Sequence, residues 1–250
     1  MMSAPRDFED STLWNVSEYE RACEENGSSG FARLGGPTLL PTTLLADLDR
    51  LREDVVHGDV LEVAAACMRH REPALLLLRH QDLVWPVTLF PADMSYHSPR
   101  DLAAAAPAGL ATLSLMAAEP PGVRPPGHWM HERVGQAEHY RELPPLLWAL
   151  ALHGPRRTLL AEIAGTVAYR AVGHGEGRSL SAPGALGSAI ERLRHESASL
   201  REVAAWPGMN AERAARLINA LYLACALLVT RTHPAARPGT GLARRLFGRH

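Results

Sequence analysis

The order of apolar and polar positions divides the chain into helical and extended stretches. After Pro41, the residues Leu44, Leu48, Leu51 and Val55 recur at helical spacing, which predicts a helix with one buried face. Thr42 or Thr43 is its N-cap candidate, and His57 with Gly58 stops it. Asp59 can cap a second helix that carries Val60, Val63, Ala64 and Cys67 on one side and ends before Pro73. The period then changes. Residues 74–79 and 83–90 are apolar, β-prone runs separated by His80, Gln81 and Asp82, which predicts a β-hairpin. Pro86 lacks a ladder donor, so it is expected at an edge or a bulge. Residues 96–100 read as a loop, with Asp101 capping a short Ala-rich helix. Residues 110–119 alternate too weakly to separate strand from helix.

Residues 119–127 hold four Pro and two Gly, the composition of a stiff linker or an ordered surface loop. Residues 144–172 are apolar and predicted helical around the Gly154–Pro155 break, and residues 173–177 are Gly-rich. One more helix is expected over 187–196. Residues 199–231 follow with a helix-turn-helix pattern. Ser199 with Glu202 makes a capping box, Pro207 and Gly208 break the first helix, and Asn210 caps the second. Leu217, Leu221, Ala224 and Leu228 fall on one face of that second helix, which leads into a strand or wing.

These elements predict an α+β protein, mainly α, in two parts. A flexible arm covers residues 1–30, with Ser17 and Glu20 boxing a short helix. An α/β regulatory-type domain spans 31–127. A helical domain spans 128–230 and ends in a winged-helix-like module at 185–230. Residues 231–250 form a basic tail, expected to be disordered.

Composition narrows the chemistry. All 26 basic residues are Arg. A phosphate-binding P-loop, a pyridoxal Schiff base, a protein kinase and a Ser-x-x-Lys acyl-enzyme each need a Lys, so these classes are excluded and no cofactor is expected. Cys23, Cys67 and Cys225 lie far apart, with no pair spaced for a zinc ribbon or a dithiol. The N-terminal residues show no signal peptide. The longest apolar run, residues 217–229, is shorter than the ~20 residues that span a bilayer. The protein is therefore expected to be cytoplasmic, with no membrane span. The net charge of −1 confines any nucleic-acid surface to a local patch.

Three constellations carry candidate chemistry. In the second helix of the C-terminal module, Arg213, Arg216 and Asn219 could face base edges, with Arg244 and Arg245 of the tail neutralising phosphates. Against this, the helix is largely apolar, and residues 185–230 hold five Arg against four Glu. His128, His131 and Glu132, with His139 beyond, would share a helix face and offer a zinc or iron ligand set, though their order matches no known metalloprotease motif. His97, Ser98 and Asp101 are close in sequence, but adjacency alone makes no catalytic triad.

The order of elements around Gly58, Leu61, residues 74–78 and residues 84–90, followed by a Pro-rich loop, helices and a helix-turn-helix, resembles bacterial PATAN-type regulatory proteins. That resemblance implies signal transduction by protein contact and identifies no catalytic residue. The sequence therefore predicts a non-enzymatic bacterial regulator with an unidentified protein partner, a homodimer being open as well. A winged-helix DNA-binding regulator and a His/Glu metal enzyme are the alternatives.

Overall fold

The computed structural model describes residues 13–26, 40–54, 59–104, 107–172 and 182–231. The chain divides into two compact units, the first running to Arg156 and the second starting at Arg157.

The first unit is built on an antiparallel sheet of six strands. These are β1 (Trp14–Asn15), β2 (Ala74–His80), β3 (Leu83–Phe90), β4 (Ser95–His97), β5 (Ser114–Glu119) and β6 (Tyr140–Glu142). Their order is β5-β2-β3-β4-β6, with β1 also paired to β3. The hairpin forms where the apolar runs predict it, with Leu77 opposite Pro86 and His80 opposite Leu83. Gln81 takes the positive φ of 57° that the two-residue turn demands.

Pro86 sits inside β3, and the second edge of that strand explains how. β1 covers Leu83 and Val84 there, and β4 covers Thr88 to Phe90. The stretch between them has no strand partner on that side among the described residues, so a residue without an N–H costs no ladder bond.

The middle of the sheet is buried on both faces, because Leu75 to Leu78 and Val84 to Phe90 are all inaccessible. Helix α1 (Val16–Asn26) covers one face, packing Val16 and Tyr19 on Leu75, Leu77 and Val84. The unit also contains α2 (Thr42–Asp54), α3 (Val60–His70), α4 (Pro107–Leu110) and α5 (Leu143–His153). Residues Val60 to Cys67 of α3 are all buried. Asp59 caps it by accepting from the Leu61 and Glu62 amides at 2.9 and 3.2 Å.

The second unit holds α6 (Ala185–His195), α7 (Leu200–Ala204), α8 (Ala211–Leu223) and a two-stranded antiparallel sheet of β7 (Ala168–Ala171) and β8 (Leu227–Thr230). Ser199 and Glu202 form the reciprocal box at the start of α7, and Asn210 Oδ1 accepts from the Arg213 amide at 2.8 Å. Asn219 is fully buried in α8. Its Oδ1 accepts from the Leu160 amide at 3.0 Å, and its Nδ2 donates to the Thr158 carbonyl at 2.9 Å. Both bonds serve a segment without a ladder of its own. Asn219→Ala is expected to destabilise the protein by about 2–3 kcal/mol, two bonds and one stranded amide, as read by urea unfolding.

The structure corrects the expected fold class. The protein is α+β, organised by a six-stranded antiparallel sheet, and is not mainly α. The C-terminal part is not a helical domain, because β7 and β8 pair within it. Two segments account for this. Residues 168–171, expected to be helical, form a strand, in which only Arg170 is exposed. Helix α8, expected to reach Leu228, stops at Leu223, where Cys225 turns the chain at φ 55° and the Ala226 amide donates to the Leu221 carbonyl. Leu228 therefore lies on a strand. Residues 114–119 resolve as β5, β4 forms where loop is expected, and β6 forms within the stretch assigned to a helical domain. β6 and α5 belong to the first unit, which extends past the boundary placed at Gly127. Gly58, the 173–177 loop and most of the arm and tail lie outside the described residues.

Candidate contact site beside strands β4 and β6

The Pro-rich segment forms an ordered loop over residues 120–139. Its two limbs are tied by the Arg124 amide, which donates to the Arg133 carbonyl at 2.8 Å, and by a parallel bridge between Arg124 and Val134. Tyr140, the first residue of β6, locks the base. Its hydroxyl donates to the Arg124 carbonyl at 2.5 Å and accepts from the Gly135 amide at 2.8 Å. Burial pushes the phenol above its usual range, so it stays protonated and able to donate.

Beneath Tyr140 lies His97 of β4, only 3% exposed. Its ring packs edge-on against Tyr140 at 4.9 Å and against His139 at 5.6 Å between centroids. Gly135 is required by that packing, because a Cβ there would sit 2.7 Å from His97 Nε2. Burial, then the neighbouring His139 and Arg141, lower the imidazole to about 4, so it is neutral near pH 7.

Asp101 serves the turn after β4. Its Oδ1 accepts from the Tyr96 hydroxyl at 2.9 Å and from the Ala103 and Ala104 amides at 3.0 and 3.2 Å. This is the capping role the sequence predicts. The buried Ser95 and Ser98 hydroxyls make no hydrogen bond, so neither is activated by His97. The His97, Ser98 and Asp101 set is thus not assembled as a nucleophile and base.

The loop presents His128 and Trp129. Gly127, at φ 81°, turns the chain just before them. The two rings stack at 5.6 Å with an angle of 28°, and Trp129 is 76% exposed. The Met130 amide donates to His128 Nδ1 at 3.1 Å, which leaves the proton of the neutral ring on Nε2.

The residues proposed as metal ligands do not share a helix face. His131 and Glu132 lie in one 3-10 turn and His139 in another. Pro125, Pro126 and Gly135 deny the segment a continuous helix. His139 is brought to His97 instead. Among the described residues, no group of three or more His, Cys, Asp or Glu is placed to hold a metal ion.

The residues proposed for DNA are also engaged elsewhere. Arg213 donates to the Gly208 carbonyl at 2.7 Å, and Arg216 Nε donates to Glu212 at 3.0 Å with only 13% of its side chain exposed. Asn219 is buried and has no edge to offer a base. Arg244 and Arg245 lie outside the described residues.

Two features are not evident from the sequence pattern. Trp129 is not singled out there, although an aromatic between a Pro-Pro-Gly turn and a polar run is a signal that could have found it. Arg156 carries no local signal at all. It reaches Asp59 Oδ2 at 2.5 Å and Glu62 Oε1 at 2.7 Å across almost a hundred residues of sequence, a pairing that no local pattern announces.

Comparison with protein-family models, curated proteins and solved structures finds no match for this chain.

Proposed function

We propose that the protein is a non-enzymatic regulator that acts by contact with a partner protein, using the Trp129 loop as its anchor. The observation that carries this reading is a tryptophan 76% exposed on a loop whose base is hydrogen-bonded on both limbs. A large aromatic held ready in water loses little freedom on binding, and tryptophan is the commonest energetic centre of protein interfaces. The arginines at the loop base, Arg124 and Arg133, suit an apolar pocket with an acidic rim.

Two further observations support it. The titratable groups around His97 are spent on structure. The polar face expected of α8 is committed to Gly208, Glu212 and the 158–160 segment. The resemblance to PATAN-type regulators points the same way. No helix among the described residues is long and apolar enough to cross a membrane.

The test is Trp129→Ala in the full chain, with Glu138→Ala as a control on the same loop. A host protein bound by the wild type should bind the Trp129 variant at least about thirtyfold more weakly and the Glu138 variant normally, with circular dichroism unchanged in both. Equal binding by all three proteins would refute the assignment.

A further inference from the structure

Strand β8 presents an edge that no described strand pairs, and the hydrogen-bond pattern of that edge is self-complementary. In the β7–β8 register, Tyr169 faces Val229 and Ala171 faces Leu227. The Tyr169 amide and carbonyl are both spent on Ala198, at 2.8 and 2.9 Å, on the far side of β7. Tyr169 and Val229 are therefore a non-hydrogen-bonded pair, and so are Ala171 and Leu227, two positions along. The Val172 amide donating to the Ala226 carbonyl at 2.9 Å fixes the same phase. The N–H and C=O groups of Leu227 and Val229 consequently point away from β7. No described residue pairs with them.

The other edges carry protection. β5 is broken by an irregularity between the Leu77 and Leu78 pairings, β6 has three residues, and the far side of β7 is taken by Ala198. β8 reads Leu-Leu-Val-Thr, with no charge, Pro or Gly, and Leu228 is 51% exposed. Val172, two residues beyond the Arg170 that faces Leu228, lies on the same side of the sheet and is 40% exposed.

We propose that β8 is a dimerisation edge that takes β8 of a second copy, antiparallel and centred on Leu228. A two-fold axis at that residue sets Leu227 opposite Val229 of the second copy. These are the residues whose amides and carbonyls face outward, so all four outward groups on each strand are satisfied at once. The same register stacks the two exposed Leu228 side chains as a non-hydrogen-bonded pair, the closer kind of cross-strand contact. It places Ala226 against Thr230 and Cys225 against Arg231, so no like charges meet. A shift by one residue would turn the outward groups out of phase. This inference is independent of the Trp129 reading, and either can fail without the other.

Analytical ultracentrifugation of the full chain over a wide concentration range tests it. The wild type should show a reversible monomer–dimer equilibrium. Val229→Pro removes an outward N–H without touching the β7 ladder, and Leu228→Lys sets two ammonium groups face to face. Each should raise the dimer Kd at least about tenfold while leaving circular dichroism unchanged. Oxidation of Leu228→Cys, on a Cys225→Gly background whose glycine suits the φ of 55°, should give a covalent dimer through position 228. A wild type that stays monomeric throughout, a dimer whose Kd neither variant moves, or a dimer that resists cross-linking at 228 would overturn the proposal.

Discussion

Arg156→Ala is expected to destabilise the protein by about 3–5 kcal/mol, more than the loss of the buried Asn219 amide. Arg156 closes the first unit by spanning two carboxylates at the start of α3, with 11% of its side chain exposed. Asp59 already uses its other oxygen to cap the helix. Glu62 is only 4% exposed, so removing the guanidinium strips a buried carboxylate of its charge partner. Coulomb attraction and desolvation nearly cancel while the cluster is whole, but the loss of one partner leaves the desolvation cost standing. Arg156→Lys should recover only part of the loss, because one ammonium cannot reproduce a guanidinium fork across two acids. Pairing Arg156→Ala with Glu62→Gln should recover more, since the buried charge then disappears. Urea unfolding of the three variants at neutral pH checks the order. A loss below about 1 kcal/mol for Arg156→Ala would show that the cluster behaves as a surface ion pair.

Mild acid should cost the protein about 3 kcal/mol through His97 alone. Its imidazole titrates near 4 in the folded chain against 6.5 for the free group. The unfolded chain therefore binds the proton first as pH falls. The contribution is complete above about 6.5, declines as pH drops below that value, and is lost once pH passes through the folded value near 4. Between these limits the slope is close to one proton, about 1.4 kcal/mol per pH unit. His97→Gln removes the titration but also the contacts with Tyr140 and His139, so it should lower stability at neutral pH and flatten the acid slope by nearly one proton. An unchanged slope in that variant would place the titration elsewhere.

Local signals make much of the backbone legible. Asp59, Ser199 and Asn210 cap the helices that their positions announce, because a cap depends on neighbours within one turn. The β2–β3 hairpin is equally readable, from two apolar runs around a polar turn. Strands β4, β6 and β7 are not. Each has three or four residues, too few for alternation to register; β6 and β7 pair only with strands distant in sequence, and β4 joins β3 across a 3-10 turn that the pattern does not announce. The end of α8 is hidden for a different reason. An apolar run continues through Leu228, and only the unusual φ of Cys225 marks the change from helix to strand.

The candidate site is legible in its parts but not in its assembly. His97, His128 and His139 all stand out in the sequence as chemistry-bearing residues. Proximity groups His139 with His128, whereas the sheet brings it to His97 through the β4–β6 pairing. That register takes His139 out of the expected ligand set and sets it against His97, the buried support of the loop. It also moves the point of interest to Trp129, which has no titratable group to attract notice.

The central claim is that Trp129 meets a partner protein. A photo-crosslinking amino acid placed at position 129 in the full chain, expressed in its native host, tests it most directly. One dominant adduct with a single host protein is expected, suppressed by excess unlabelled wild type and absent when the probe sits at Glu138. A background at position 129 no different from that at Glu138 would contradict it.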